Sequence, residues 1–145
     1  MSYTKNLSDK TGVVSTTARS KPYSDLNLKL TLHPVRKDIM SLKDDAAIKN
    51  SVKNLLLTNF FERPFQPDLG ANLRALLFEP ADVITRVALR DAIKNVLNER
   101  EPRISDVAVL VENEDAKNAY RVTVGFNIKQ IEKTETVEII LKRLR

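Results

Sequence analysis

The chain has 145 residues, with 24 Lys and Arg against 19 Asp and Glu for a formal charge of +5, one histidine, and neither cysteine nor tryptophan. Those counts exclude thiolate nucleophiles, cysteine-held zinc, iron–sulfur clusters, disulfide frameworks and histidine-rich metal cages, because the ligating residues are missing. The length suits one domain with an added arm, and 42% hydrophobic with 30% charged residues is an ordinary globular composition.

The positive charge is unevenly placed. Residues 1–40 hold seven basic and three acidic side chains, a net +4, whereas the remainder holds 17 and 16, a net +1. The polar stretch Met1 to Lys10 has no apolar core of a secretory signal, so synthesis and residence in a cytoplasm are expected. The longest apolar run, Val107 to Val111, is far too short to span a bilayer.

In chain order, Ser2–Ser24 is rich in Ser, Thr and Lys without periodicity and reads as an arm. Leu26, Leu28, Leu30 and Leu32 then alternate with polar residues, which predicts a strand near 25–32 with one buried face, stopped by Pro34. The arm and this strand make up 1–40, and 41–145 forms the main domain. Ser41 and Asp44 have capping-box spacing for a helix that places Ile48, Val52, Leu55 and Leu56 on one face and ends near Thr58. Phe60 to Gly70 contains two prolines and three phenylalanines, predicting a stiff, ordered loop whose aromatic rings need burial.

Leu69, Leu73, Leu76 and Leu77 mark a short helix ended by Pro80. A longer helix over Ala81–Arg100 gathers Ala88, Leu89, Ala92, Ile93 and Val96 on one face and Arg86, Arg90 and Lys94 on another. Pro102 disfavours helix at Glu101 and should stop it there. Three strands follow, over Ile104–Val111, Tyr120–Ile128 and Thr136–Leu144, joined by short connections that fit antiparallel neighbours. Helices followed by strands predict an α+β fold with a C-terminal antiparallel sheet of about three strands.

No phosphate-cradling glycine loop, nucleophile elbow or calcium-loop spacing is present, so no cofactor, metal or small-molecule substrate is expected. His33, without a second ligand, reads as an exposed strand-end residue. Two acid–arginine groupings stand out, Glu62-Arg63 and Glu101-Pro102-Arg103. Residues two apart in an extended segment share a side, so Glu101 and Arg103 form a compact dyad, either a structural salt bridge or an interface contact. Glu62, Asp68 and Glu101 could be taken for glycosidase acids. An adjacent arginine lowers a carboxyl pKa, however, the opposite of what a general acid needs at neutral pH. The basic row on the long helix reads as a solvated face or a ridge for an acidic partner. The arm lacks the interleaved aromatics of single-strand binders, which makes nucleic acid an unlikely ligand.

The run Leu57-Thr58, Glu62-Arg63, Pro67, Gly70, Leu76-Leu77-Phe78-Glu79-Pro80 and Glu101-Pro102-Arg103 entering a strand resembles the baseplate wedge subunit family of contractile-tailed phages, shared with a type VI secretion baseplate component. The resemblance covers about Ser41 to Leu144, departing at Phe61 and at Asp68-Leu69. It implies a non-enzymatic structural role at the virion tail baseplate, with assembly in the host cytoplasm and several copies around the tail tube. It also implies docking through Glu62, Arg63, Glu101, Pro102 and Arg103 on a helical core bundle of other wedge proteins. The implied fold is similar to the interlocking domain of the sheath protein, whose first ring such proteins template.

A last strand at a sheet edge, with Thr136, Glu138, Ile140 and Lys142 toward the sheath, would offer unpaired main-chain groups for strand augmentation. The rival readings are a peptidoglycan-degrading, lysozyme-like enzyme and a basic nucleic-acid-binding module.

Overall fold

A computed structural model describes residues 23–28, 30–129 and 132–143. The expected arm therefore lies outside the described residues except for its last two positions, as do Leu144 and Arg145. The elements are β1 (Ser24–Leu26), β2 (Ser41–Lys43), α1 (Asp44–Leu57), α2 (Leu73–Leu76), α3 (Val83–Arg100), β3 (Ile104–Glu114), β4 (Ala119–Ile128) and β5 (Lys133–Lys142). The fold is α+β, as the order of patterns predicts. No helix among the described residues is long and apolar enough to cross a membrane.

β3, β4 and β5 form one antiparallel sheet with β4 in the centre. Strict alternation puts Tyr120, Val122, Val124, Phe126 and Ile128 of β4 on the inner face beside Val137, Ile139 and Leu141 of β5, all buried. α1 and α3 cover that face with Ile48, Val52, Leu55, Leu56, Leu89, Ile93 and Leu97, closing a single core. At roughly 1.5–3 kcal/mol for each fully buried aliphatic or aromatic side chain, this interlayer contact is the main source of stability. The outer face is left to water.

Asp82 starts α3 by accepting a hydrogen bond from the Thr85 amide at 2.8 Å, two residues later than the hydrophobic pattern suggests because Pro80 and Asp82 set the entry. Its carboxyl is held below the usual range by that backbone N–H, then by the Thr85 side chain. Asp82→Ala is expected to lower Tm by about 2–4 °C, measured by calorimetry near neutral pH, since one helix-end donor loses its partner.

Several local expectations fail for want of a tertiary partner. The leucine alternation does not give a buried face: β1 spans three residues, pairs with β2 rather than with the main sheet, and leaves Leu26, Leu28, Leu30 and Leu32 each more than half exposed. Leu30 adopts φ 52°, breaking the extended course, and Thr31 instead accepts from the Met40 amide at 2.9 Å.

The capping box does not form either. Ser41 lies in β2, and the N-cap of α1 is Lys43, which makes no side-chain cap. The predicted helix around Leu73 shrinks to Leu73–Leu76. His33 is half-buried, and its Nδ1 accepts from the amides of Val35 and Arg36, both at 3.2 Å, so it caps a turn.

α1 is tied to the start of β5 by charge. Lys133 Nζ meets Asp45 Oδ2 at 2.8 Å and Glu135 Oε1 at 2.5 Å, while Lys49 Nζ meets Glu135 Oε2 at 2.5 Å. The hydrogen bonds to Asp45 and Glu135 push the Lys133 pKa up, and those from Lys133 and Lys49 hold Glu135 down.

Candidate docking surfaces

α3 ends at Glu101, as Pro102 predicts, and the Glu101 amide donates to the Leu97 carbonyl at 3.0 Å. The chain then turns through Pro102 into β3. Glu101 is only 3% exposed. Its Oε1 accepts from Arg103 Nε at 2.5 Å, and its Oε2 accepts from Arg103 Nη2 and Ser51 Oγ, both at 2.7 Å. Arg103 in turn lies 3.7 Å from Asp25 Oδ2 and stacks 5.4 Å from the centroid of the Tyr23 ring. The Glu101–Arg103 pair thus joins β1, through Asp25, and α1, through Ser51, to the α3–β3 junction.

Burial raises the Glu101 pKa, but the hydrogen bonds from Arg103 and Ser51 together with the Arg103 charge outweigh it and hold the carboxyl below its usual range. Arg103 is correspondingly held protonated, chiefly by its hydrogen bonds to Glu101. Neither Ser51 nor Asp25 is visible as a partner in the sequence, because each lies about 50 or more positions away and separation along the chain carries no signal of the contact.

The structure brings Arg63 toward this clasp but not Glu62. Arg63 and Leu69 from the loop, Leu26 and Leu28 from the N-terminal segment, and Arg100 with Glu101 border one groove of about 310 Å³. Glu62 instead closes its own loop, accepting from the Asn59 amide at 3.0 Å and Asn59 Nδ2 at 2.7 Å, which lowers its pKa. Phe61 N donates to the Pro67 carbonyl at 2.8 Å and pins the other side of that loop. The expectation that the loop aromatics are buried is wrong: Phe61 is 80% and Phe65 97% exposed. The ring pattern demanded an apolar partner, and the chain does not supply one from its described residues.

Pro102 is exposed, and its carbonyl accepts from Lys129 Nζ at 2.8 Å. Both Glu62 and Glu101 are held in the ionised form near neutral pH, which suits neither for the general-acid step of glycoside cleavage.

β5 lies at an edge of the sheet. Arg143 N donates to the Asn118 carbonyl at 2.9 Å, in line with the Ala119–Lys142 register. Because antiparallel residues alternate between facing and turning from their neighbour, Leu141, Ile139 and Val137 bond toward β4. Thr136, Glu138, Ile140 and Lys142 therefore point their N–H and C=O groups outward, and their side chains are exposed on the outer face.

The site is a small two-layer module with apolar and main-chain groups turned to solvent, with Glu101 locked in an ion pair and Glu62 in hydrogen bonds. Residues 42–133 match the model of the family described as baseplate wedge protein gp25. The baseplate wedge protein gp25 of Enterobacteria phage T4 is 32% identical over 92 residues, covering 63% of this chain and 69% of the relative. In fold, the chain is similar to a Geobacter sulfurreducens structure provisionally described as a tail lysozyme (TM-score 0.63, 20% identity, 68% of this chain and 89% of that one). It is also similar to a chain of the anti-feeding prophage baseplate (TM-score 0.55, 13% identity, 86% and 88%). The protein is a structural component of the baseplate of contractile tails. The chain belongs to the baseplate wedge protein gp25 family, and the matched segment ends at Lys133, the first residue of β5.

Proposed function

We propose that this wedge protein has two faces, one that docks on neighbouring wedge proteins and one that starts the sheath. The docking face comprises the Glu62-Arg63 loop and the Glu101-Pro102-Arg103 junction. Phe61 and Phe65 act as apolar anchors, and Arg63 and Arg103 meet acidic groups of a helical core bundle. Glu101 contributes by fixing the guanidinium of Arg103 rather than by touching the partner. Residues 41–145 act as the wedge domain, 1–40 as a basic arm, and several copies surround the tail tube without any bond-breaking chemistry.

The sheath face is the β5 edge, and the observation that carries it is the outward alternation of Thr136, Glu138, Ile140 and Lys142. A sheath strand laid along that edge would form about five hydrogen bonds contributing roughly 3–7 kcal/mol in all, repeated around a ring. Lys142 and Glu138 discourage indiscriminate pairing while accepting a charge-matched strand.

Glu138→Pro and Ile140→Pro remove outward donors and spare the bonds to β4, so both variants should fold and enter baseplates yet fail to nucleate sheath, seen by electron microscopy of assembly reactions. Normal sheath growth on baseplates carrying both changes overturns the β5 reading.

A further inference from the structure

Among the described residues the sheet has a second free edge, β3, and its chemistry differs from the first. Lys129 N donates to the Arg103 carbonyl at 3.1 Å, which faces that amide toward β3. Alternation along β4 then turns Gly125, Thr123 and Arg121 toward β3, so that Ala108, Leu110 and Glu112 opposite them bond inward. Val109 and Val111, opposite Val124 and Val122, direct their N–H and C=O groups away from the sheet. They open into a groove of about 260 Å³ between β3 and the first half of α3.

We propose that the β3 edge is a second strand-accepting site, whose occupant is an extended segment of another protein with alternating apolar and acidic side chains. This goes beyond the β5 reading, since the two edges lie on opposite sides of the sheet and each can fail alone.

Charge and shape specify the occupant. Val83 and Leu110 are more than half exposed and, with Val87, give the groove apolar walls. Arg86 and Arg90 supply its charge. Among the described residues Arg86 has no acidic partner, and Arg90 meets only the neighbouring Asp91, at 3.1 Å with both side chains half exposed, a pair of little value. Carboxylates on the incoming segment would satisfy both arginines.

Part of the edge is uncharged. Ala108-Val109-Leu110-Val111 carries no charge, and Glu112 and Glu114 follow it at the end of β3. An uncharged apolar stretch of edge invites indiscriminate pairing unless a partner covers it. The register shift between Ser105 and Ala108 ends the regular edge at one side, leaving Ala108–Glu114 as the length that a strand can pair with.

The test uses full-length, nitrogen-15-labelled protein and a short capped peptide alternating valine with glutamate, with a valine–lysine peptide as control. The expected result is amide shift changes and exchange protection at Val109 and Val111 with the acidic peptide only. Affinity should fall roughly tenfold in the Arg86→Glu/Arg90→Glu double variant, which changes two surface side chains. Val111→Pro should lose binding while keeping its ladder to β4, because it removes an outward donor. The proposal is overturned by an unperturbed β3 at about 1 mM acidic peptide, a concentration that would reveal even millimolar affinity. Equal binding of the lysine peptide, wild-type affinity in the double variant, or protection confined to β5 overturns it equally.

Discussion

Arg103→Ala is expected to destabilise the isolated protein by about 2–4 kcal/mol at pH 7, read from urea unfolding, because it strands the Glu101 carboxylate in the interior. Removing one partner of a fully buried pair costs about 3–5 kcal/mol, and the lower figure reflects the 23% exposure of the Arg103 side chain. The bond from Ser51 remains, but a hydroxyl does not neutralise a charge.

pH distinguishes this cause from a loss of packing. In the wild type the folded Glu101 pKa lies below its unfolded value near 4.5, so its stabilising contribution is complete above that pH and lost as pH falls through the folded pKa. Without Arg103, burial dominates and pushes the folded pKa up, so protonation favours the folded variant. The stability gap between wild type and Arg103→Ala should therefore narrow steadily from pH 7 toward pH 4. A gap that stays constant across that range would show that the arginine acts only as filler. Glu101→Gln should likewise flatten part of the acid limb, the rest coming from Asp45, Glu114 and Glu135, whose carboxyls are held low by their cationic neighbours, and from Glu62 and Asp82, held low by hydrogen bonds from Asn59 and Thr85.

The second large effect is expected from Gly70→Ala, about 2–4 kcal/mol by the same titration. Gly70 has φ 129°, a backbone conformation that L side chains rarely adopt, and a Cβ there would stand 2.3 Å from the Thr58 carbonyl oxygen. That oxygen already accepts from the Ala71 amide at 3.2 Å, so the loop from Asn59 to Leu69 is sealed against the end of α1 at this point. Relief of the clash requires the seal to open. The variant should accordingly show increased amide exchange at Ala71 and a displaced Arg63, with the sheet unchanged. A variant as stable as wild type, with Ala71 still protected, would mean that the close approach is not needed.

The exposed phenylalanines and the exposed leucine row have a common origin. Apolar content in a sequence reports a need for burial, and alternation reports which side of a strand will share it. Neither says whether the covering surface belongs to the same chain. For Tyr120 to Ile128 the cover is α1 and α3, and the alternating apolar face is buried. For Leu26 to Leu32 and for Phe61 and Phe65 no described residues of the chain provide it.

The local units are legible in the order of residues alone: the α3 stripe, its stop before Pro102, the three strands, and the Glu101–Arg103 pairing, which two residues of extended chain enforce. Each depends on backbone geometry repeating over a few residues, so short-range pattern is sufficient. Long-range packing selects Ser51 and Asp25 to complete the clasp, turns Arg63 rather than Glu62 toward it, and leaves particular main-chain groups of β3 and β5 unpaired within the sheet. Those outcomes depend on strand order and register across the chain, where packing of distant segments, and not any neighbouring residue, selects the partner.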